Sequence, residues 1–105
     1  MKRGEIWRAD QPQPIGRRPV VLLSRNEAYH VRNAVTVAQI TTTIRDIPVE
    51  IILSERDGLS QKCAINADNI TTIPKALLLK KISSLSSEKV LQLNKAIKFA
   101  LDLDQ

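Results

Sequence analysis

The sequence predicts a mainly β protein, five to seven short strands bent into a small antiparallel barrel and followed by one C-terminal helix. Three observations carry that expectation. Short runs rich in β-branched residues recur between Pro, Gly and Asp-Gly turn signals. No helical pattern long enough for a parallel crossover separates them. The apolar period becomes helical only after Ser86.

Glu5-Ile6-Trp7-Arg8-Ala9 has strand character and stops at Asp10. Residues 11–16 hold two prolines and a glycine and form a loop. Pro19-Val20-Val21-Leu22-Leu23 is a continuous apolar run, the pattern of a strand buried on both faces. Residues 26–31 allow one helical turn. Residues 34–41 read as a central strand. Residues 47–53 form another strand, with Pro48 confined to its start or to a sheet edge. Asp57-Gly58 marks a turn. Residues 63–66 and 68–73 are expected as two further short strands, with a last one over 79–82 after a brief turn. Ser86 caps the helix and Glu88 complements its dipole. Val90, Leu93, Ile97 and Leu101 fall on one face of that helix, while Leu91, Phe99 and Leu103 fall off it, either covered by a partner chain or left as tolerated exposure.

The 105 residues suffice for one domain and one core, and no linker or repeat divides 1–105. No run approaches the roughly 18 apolar residues of a membrane span, and the first residues lack a signal-peptide pattern. A cytoplasmic protein without membrane contact is expected. One cysteine and one histidine fall short of a disulfide framework or a structural zinc site, so neither metal nor cofactor is expected. No Ser-His-Asp or Cys-His set argues for a protease or esterase.

The net charge of +5 favours polyanionic partners, and its distribution is uneven. All eight arginines lie at or before Arg56, and seven of the eight lysines at or after Lys62. From Gln11 to Arg45 five arginines face a single acid, Glu27. Arginine's planar fork matches phosphate oxygens in pairs, so this half has the composition of a phosphate-handling surface or of a solvated basic face.

Arg3-Gly4-Glu5-Ile6-Trp7 followed by Gly16-Arg17-Arg18-Pro19-Val20-Val21-Leu22-Leu23-Ser24 resembles the opening of the MazF/PemK/Kid toxins. Gln39-Ile40-Thr41-Thr42 is similar to their strand-ending Ile-Thr element, Asp68-Asn69-Ile70-Thr71-Thr72-Ile73 to their Asp-Gln-Ile element, and Leu85-Ser86-Ser87-Glu88-Lys89 to the start of their last helix. The motifs run in order over nearly the whole chain. The resemblance implies an SH3-like barrel of the CcdB/MazF type and a homodimer. It implies a sequence-selective, metal-independent endoribonuclease acting on single-stranded RNA, held inactive by a cognate antitoxin with an acidic C-terminal tail. Such an enzyme uses the RNA's own 2′-OH as nucleophile and leaves a 2′,3′-cyclic phosphate and a 5′-OH, so it needs no nucleophilic side chain.

By that resemblance Arg18 contacts the scissile phosphate. Its residue type alone points instead to an ion pair across the barrel. Thr41 holds a phosphate oxygen or the 2′-OH where a lone threonine would only pack. Asp68 is the third catalytic candidate, against the plain alternative of an Asp bonded to its local backbone. RNA contacts are expected from Gly16, Arg17, Thr42, Thr43 and Arg45, with base readout in the 11–16 and 41–46 loops. Two departures matter. Where the PemK/Kid branch has an arginine two residues before its Asp, this chain has Asn66, and its histidine-bearing loop is shortened here to residues 11–16. No general base is identified, and the chemistry rests on Arg18 and Thr41. His30 reads as a surface residue of a turn. Trp7 reads as a core or dimer anchor or a base-stacking ring, and Glu5 as an ion-pair partner of an arginine or an orienter of Arg18. Two other functions stay open: a relative that binds RNA without cleaving it, suggested by Asn66 and the short loop, and a CcdB-type topoisomerase poison, suggested by the apolar helix residues off the stripe.

Overall fold

A computed structural model describes residues 1–103. Six strands form one antiparallel sheet: β1 (Glu5–Asp10), β2 (Arg17–Leu22), β3 (Ala34–Thr41), β4 (Glu50–Leu53), β5 (Cys63–Pro74) and β6 (Leu78–Ser84), in the spatial order β4-β5-β3-β2-β1-β6. A one-turn helix α1 (Ala28–Val31) follows β2, and α2 (Ser87–Ala100) ends the fold. The sheet curls into a half-barrel with β4 and β6 at its edges. None of the described helices is long and apolar enough to cross a membrane.

The sheet separates two apolar clusters. Ile6, Val21, Ala38, Ile40, Ile51 and Ile65 form one face, which α2 covers with Leu93 and Ala96. Ala9, Val20, Leu22, Val35 and Val37 form the other, with Tyr29 of α1 packed on it. Successive residues of β2 and β3 thus alternate between two buried faces, which is why both strands read as unbroken apolar runs. Ser86 caps α2 as its position predicts, its Oγ accepting from the Lys89 N–H at 3.2 Å.

Several boundaries differ from the expected ones. The apolar run at 19–23 starts two residues earlier, at Arg17, because β1 supplies partners for Arg17 and Arg18 (Asp10 and Ala9) that local sequence does not reveal. The strand expected from Ile47 begins at Glu50. Residues 47–50 form a turn closed by the Glu50 N–H on the Ile47 carbonyl, 3.0 Å. The two strands expected at 63–66 and 68–73 are one strand with a bulge: Gln39 pairs with Asn66 and Ala38 with Ile70, leaving 67–69 unpaired with β3. The Ala67 N–H bonds instead to the Val49 carbonyl, 2.9 Å. Leu101 caps the end of α2 and is exposed, so only Val90, Leu93 and Ile97 of the expected stripe turn toward the core. Leu91, Phe99 and Leu103 are exposed, as their spacing predicts.

Candidate functional site: a groove where two strands part

The site begins with a missing donor. The Leu22 carbonyl accepts from Gly4, on the β1 side, and the Leu23 N–H donates to Thr36, on the β3 side. Alternation along β2 then directs the backbone of Pro19 toward β3. Proline has no N–H to offer there, and the β2–β3 pairing stops at Val20–Gln39. One step and two steps beyond that pair lie Pro19 with Ile40 and Arg18 with Thr41. The strand ends part at these residues and open a groove of about 430 Å³.

Arg17, Arg18 and Pro19 line it from β2, Ile40, Thr41, Thr42 and Thr43 from the end of β3, Arg8 from β1 and Ile82 from β6. Its remaining wall is the 58–61 turn with Cys63. That turn is locked in place. Gly58 has φ +92, and a Cβ there would lie 2.6 Å from the Cβ of Ser83 on β6. The Ser83 hydroxyl donates to the Asp57 carbonyl at 2.5 Å, and Ser54 and Asp57 cap the short 3₁₀ turn before it.

Arg18 is exposed and, among the described residues, has no ion pair. The cross-barrel salt bridge that its residue type also allowed is not formed. Arg17 pairs with Asp10 at 3.5 Å, with both side chains about half exposed or more. Thr41 Oγ1 accepts from the Thr43 N–H at 3.1 Å, which fixes the oxygen and leaves the hydroxyl proton free to donate. Cys63 is buried, and burial, reinforced by the nearby Asp57, raises its thiol above its ordinary value. A neutral thiol is a poor nucleophile.

The other expected site residues stand elsewhere. Asp68 sits in the β5 bulge, exposed, its N–H held by Asn66 Oδ1 at 2.9 Å, and it is not part of the groove wall. Gly16 (φ +69) closes the 11–16 loop through its carbonyl, which accepts the Gln11 N–H at 3.1 Å. The Arg45 N–H donates to Glu50 at 3.0 Å. Neither residue lines the groove. His30 is an exposed residue of α1. Glu5 meets no arginine. Its buried carboxylate accepts from the Trp7 indole at 2.9 Å and pairs with Lys81 at 3.3 Å. Burial alone would raise this carboxyl, but the Trp7 bond, the Lys2 main chain and Lys81 outweigh it and hold it below its ordinary value. Trp7, half buried, packs on the second cluster as an anchor. Among the described residues no cluster of three His, Cys, Asp or Glu side chains could hold a metal ion.

Residues 2–101 match the family described as PemK-like, MazF-like toxin of type II toxin-antitoxin system. This chain belongs to the PemK/MazF-like toxin family. Among its relatives, the probable endoribonuclease MazF5 of Mycobacterium tuberculosis is 34% identical over 95% of this chain and 92% of its own length. Endoribonuclease MazF3 of the same species is 38% identical over 83% and 84%. The solved toxin MazF-mt6 of M. tuberculosis superposes with a TM-score of 0.89 at 35% identity, covering 96% of this chain and 99% of that one. A mycobacterial endoribonuclease in complex with its cognate antitoxin superposes at 0.88 with 28% identity, covering 100% and 98%.

In this PemK/MazF-like toxin the Arg-Pro motif and the Ile-Thr element, about twenty residues apart in sequence, meet across the parted strands. The Asp-Asn-Ile element does not join them at the groove wall. Arg8, Ser60 and Gln61 do line it, and nothing in their local sequence marks them. Only Gly58, in its Asp-Gly turn, carried a signal that the segment had to be tightly folded.

Proposed function

We propose that this chain is the toxin of a type II toxin–antitoxin pair and an endoribonuclease that cuts single-stranded RNA in the groove between β2 and β3. The observation that carries the reading is the pairing of an uncommitted Arg18 with an oriented Thr41 hydroxyl at the point where the ladder stops. A guanidinium on a rigid strand end donates two parallel hydrogen bonds to the non-bridging oxygens of a phosphate. Those bonds strengthen as negative charge grows on the pentavalent phosphorus, so they favour the transition state over the bound substrate. Thr41 donates its hydroxyl proton to a phosphoryl oxygen or holds the attacking 2′-oxygen in line.

The 2′-oxygen forms the new P–O bond as the bond to the 5′-oxygen breaks. The 2′-OH proton leaves to solvent, the 5′-oxygen gains one from solvent, and the products are a 2′,3′-cyclic phosphate and a 5′-OH. Neither metal nor protein nucleophile takes part. Arg17, Thr42 and Thr43 contact the adjoining backbone. Asp68 is given no part in the cleavage step, because it lies outside the groove wall.

The toxin acts in the cytoplasm as a homodimer, with Leu91 and Phe99 of α2 and the adjoining Leu101 as apolar surface available to a second copy. An acidic antitoxin tail blocks RNA by competing for the same arginines. The test is incubation of the purified protein with mixed-sequence single-stranded RNA in EDTA, followed by mapping of the new ends. Cyclic phosphate and 5′-OH ends are expected. Intact RNA in every sequence context overturns the reading, and 5′-phosphate ends overturn the mechanism.

A further inference from the structure

The β1–β6 register sets Arg8 directly opposite Lys80. Both are exposed, and among the described residues neither has an ion pair. Their basic neighbours are matched: Arg17 meets Asp10, and Lys81 meets Glu5. Like charges directly opposite on adjacent strands destabilise the pairing. The ladder thus leaves this directly opposed pair in repulsion, which an anion bound between them would relieve.

The location says which anion. Arg8 is part of the groove wall. Lys80, directly opposite Arg8 in the ladder, projects from the same face of the sheet as Arg8. Arg8 pairs on its other side with Pro19, the neighbour of Arg18. Arg8 and Lys80 therefore step across the adjacent strands β1 and β6, which lie about 4.8 Å apart, while Arg18, whose ladder partner is Ala9, borders the same groove from β2. The row leads away from Thr41 and can follow a phosphodiester chain beyond the scissile position.

We infer that Arg8 and Lys80 form a second phosphate subsite, holding a backbone phosphate of single-stranded RNA next to the one at Arg18. The inference rests on the reading of the groove as the RNA-cleaving site. Arg8 supplies the two-pronged contact and Lys80 a point charge. The bound phosphate cancels their mutual repulsion. Such a subsite sets the register of the strand in the groove and reads no base.

The test uses RNA spanning the mapped cleavage position, with a deoxynucleotide in place of the 2′-OH at the cut so that binding is measured without cleavage. A dodecanucleotide is expected to bind the wild-type toxin more tightly than a dinucleotide, which carries the scissile phosphate alone. In Arg8→Ala and in Lys80→Ala that advantage falls about tenfold or more, the size of one charge-assisted hydrogen bond. The slope of log affinity against log salt is expected to drop by about 0.7 in each. Lys98→Ala, on the exposed face of α2, is expected to change neither. Lys80→Glu is expected to raise the melting temperature, by turning a repulsive pair into an attractive one, while it weakens RNA binding, a combination that a merely structural lysine does not produce. An unchanged length advantage and salt slope in both alanine variants, with wild-type cleavage intact, overturns the subsite alone. A wild-type protein that neither binds nor cuts RNA overturns the proposed function and the subsite with it.

Discussion

The two ends of β1 treat charge in opposite ways. At its start, Glu5 is buried and accepts from both the Trp7 indole and Lys81, so its charge is matched within the fold. Toward its end, Arg8 and the adjoining Arg18 of β2 are exposed and unmatched, and Arg17 has only a long, solvent-exposed contact to Asp10. Burying a carboxylate is tolerable only when hydrogen bonds and an opposite charge replace water. Leaving a guanidinium exposed costs little, and keeps its donors available. The first arrangement contributes to holding β1 and β6 together. The second leaves the donors uncommitted, which the proposed phosphate contact requires.

This contrast fails or sharpens at four points. The largest expected effect is on cleavage: Arg18→Ala should lose roughly 100-fold or more in rate, the order of one oxyanion-stabilising donor, with the melting temperature unchanged. A large drop in thermal stability would instead make Arg18 a structural residue like Glu5. At the other end of β1, Glu5→Leu should destabilise the fold by about 1–3 kcal/mol, because it strands the Trp7 N–H and Lys81. Chemical denaturation followed by Trp7 fluorescence reads this directly. Thr41→Val should slow cleavage by about tenfold or more, by removing a hydrogen bond to a charged group while keeping the shape, and Thr41→Ser should restore most of it.

The smallest effect is the acid response. Glu5 has a lowered pKa in the fold, so the stability it contributes is present above its ordinary value of about 4.5 and is lost as the pH falls through the lower folded value. Melting temperatures should fall over that interval in the wild type, and less steeply in Glu5→Gln. Equal slopes in the two proteins would mean that the carboxylate carries no such linkage.

Much of the candidate site was legible in the sequence because Arg18 and Thr41 lie in short local motifs that the family resemblance picks out. Arg18 precedes a proline at the mouth of a strand, and Thr41 ends a β-branched run. The wall that encloses them was not. Arg8 looks like any outward residue of a strand until the β1–β2 and β1–β6 registers are known. The 58–61 turn reaches the groove only because Gly58 lets it touch Ser83 of β6, twenty-five residues further along the chain. The buried Gln11–Gln39 pair, bonded both ways at 3.1 and 2.6 Å, likewise joins the short 11–16 loop to the central strand where neither glutamine suggests the other.

Residue order alone determined the strand-rich architecture, the turns, the capped final helix and the motifs that place Arg18 and Thr41 in one family pattern. Period, turn chemistry and capping act over a few residues and are therefore visible in a few residues. Only the tertiary structure decided which cations are neutralised and which stand free, that Asp68 is carried off in a bulge, and that the sheet parts beside Pro19. Those outcomes depend on strand order and register, which bring together residues tens of positions apart and are settled by the packing of the whole sheet.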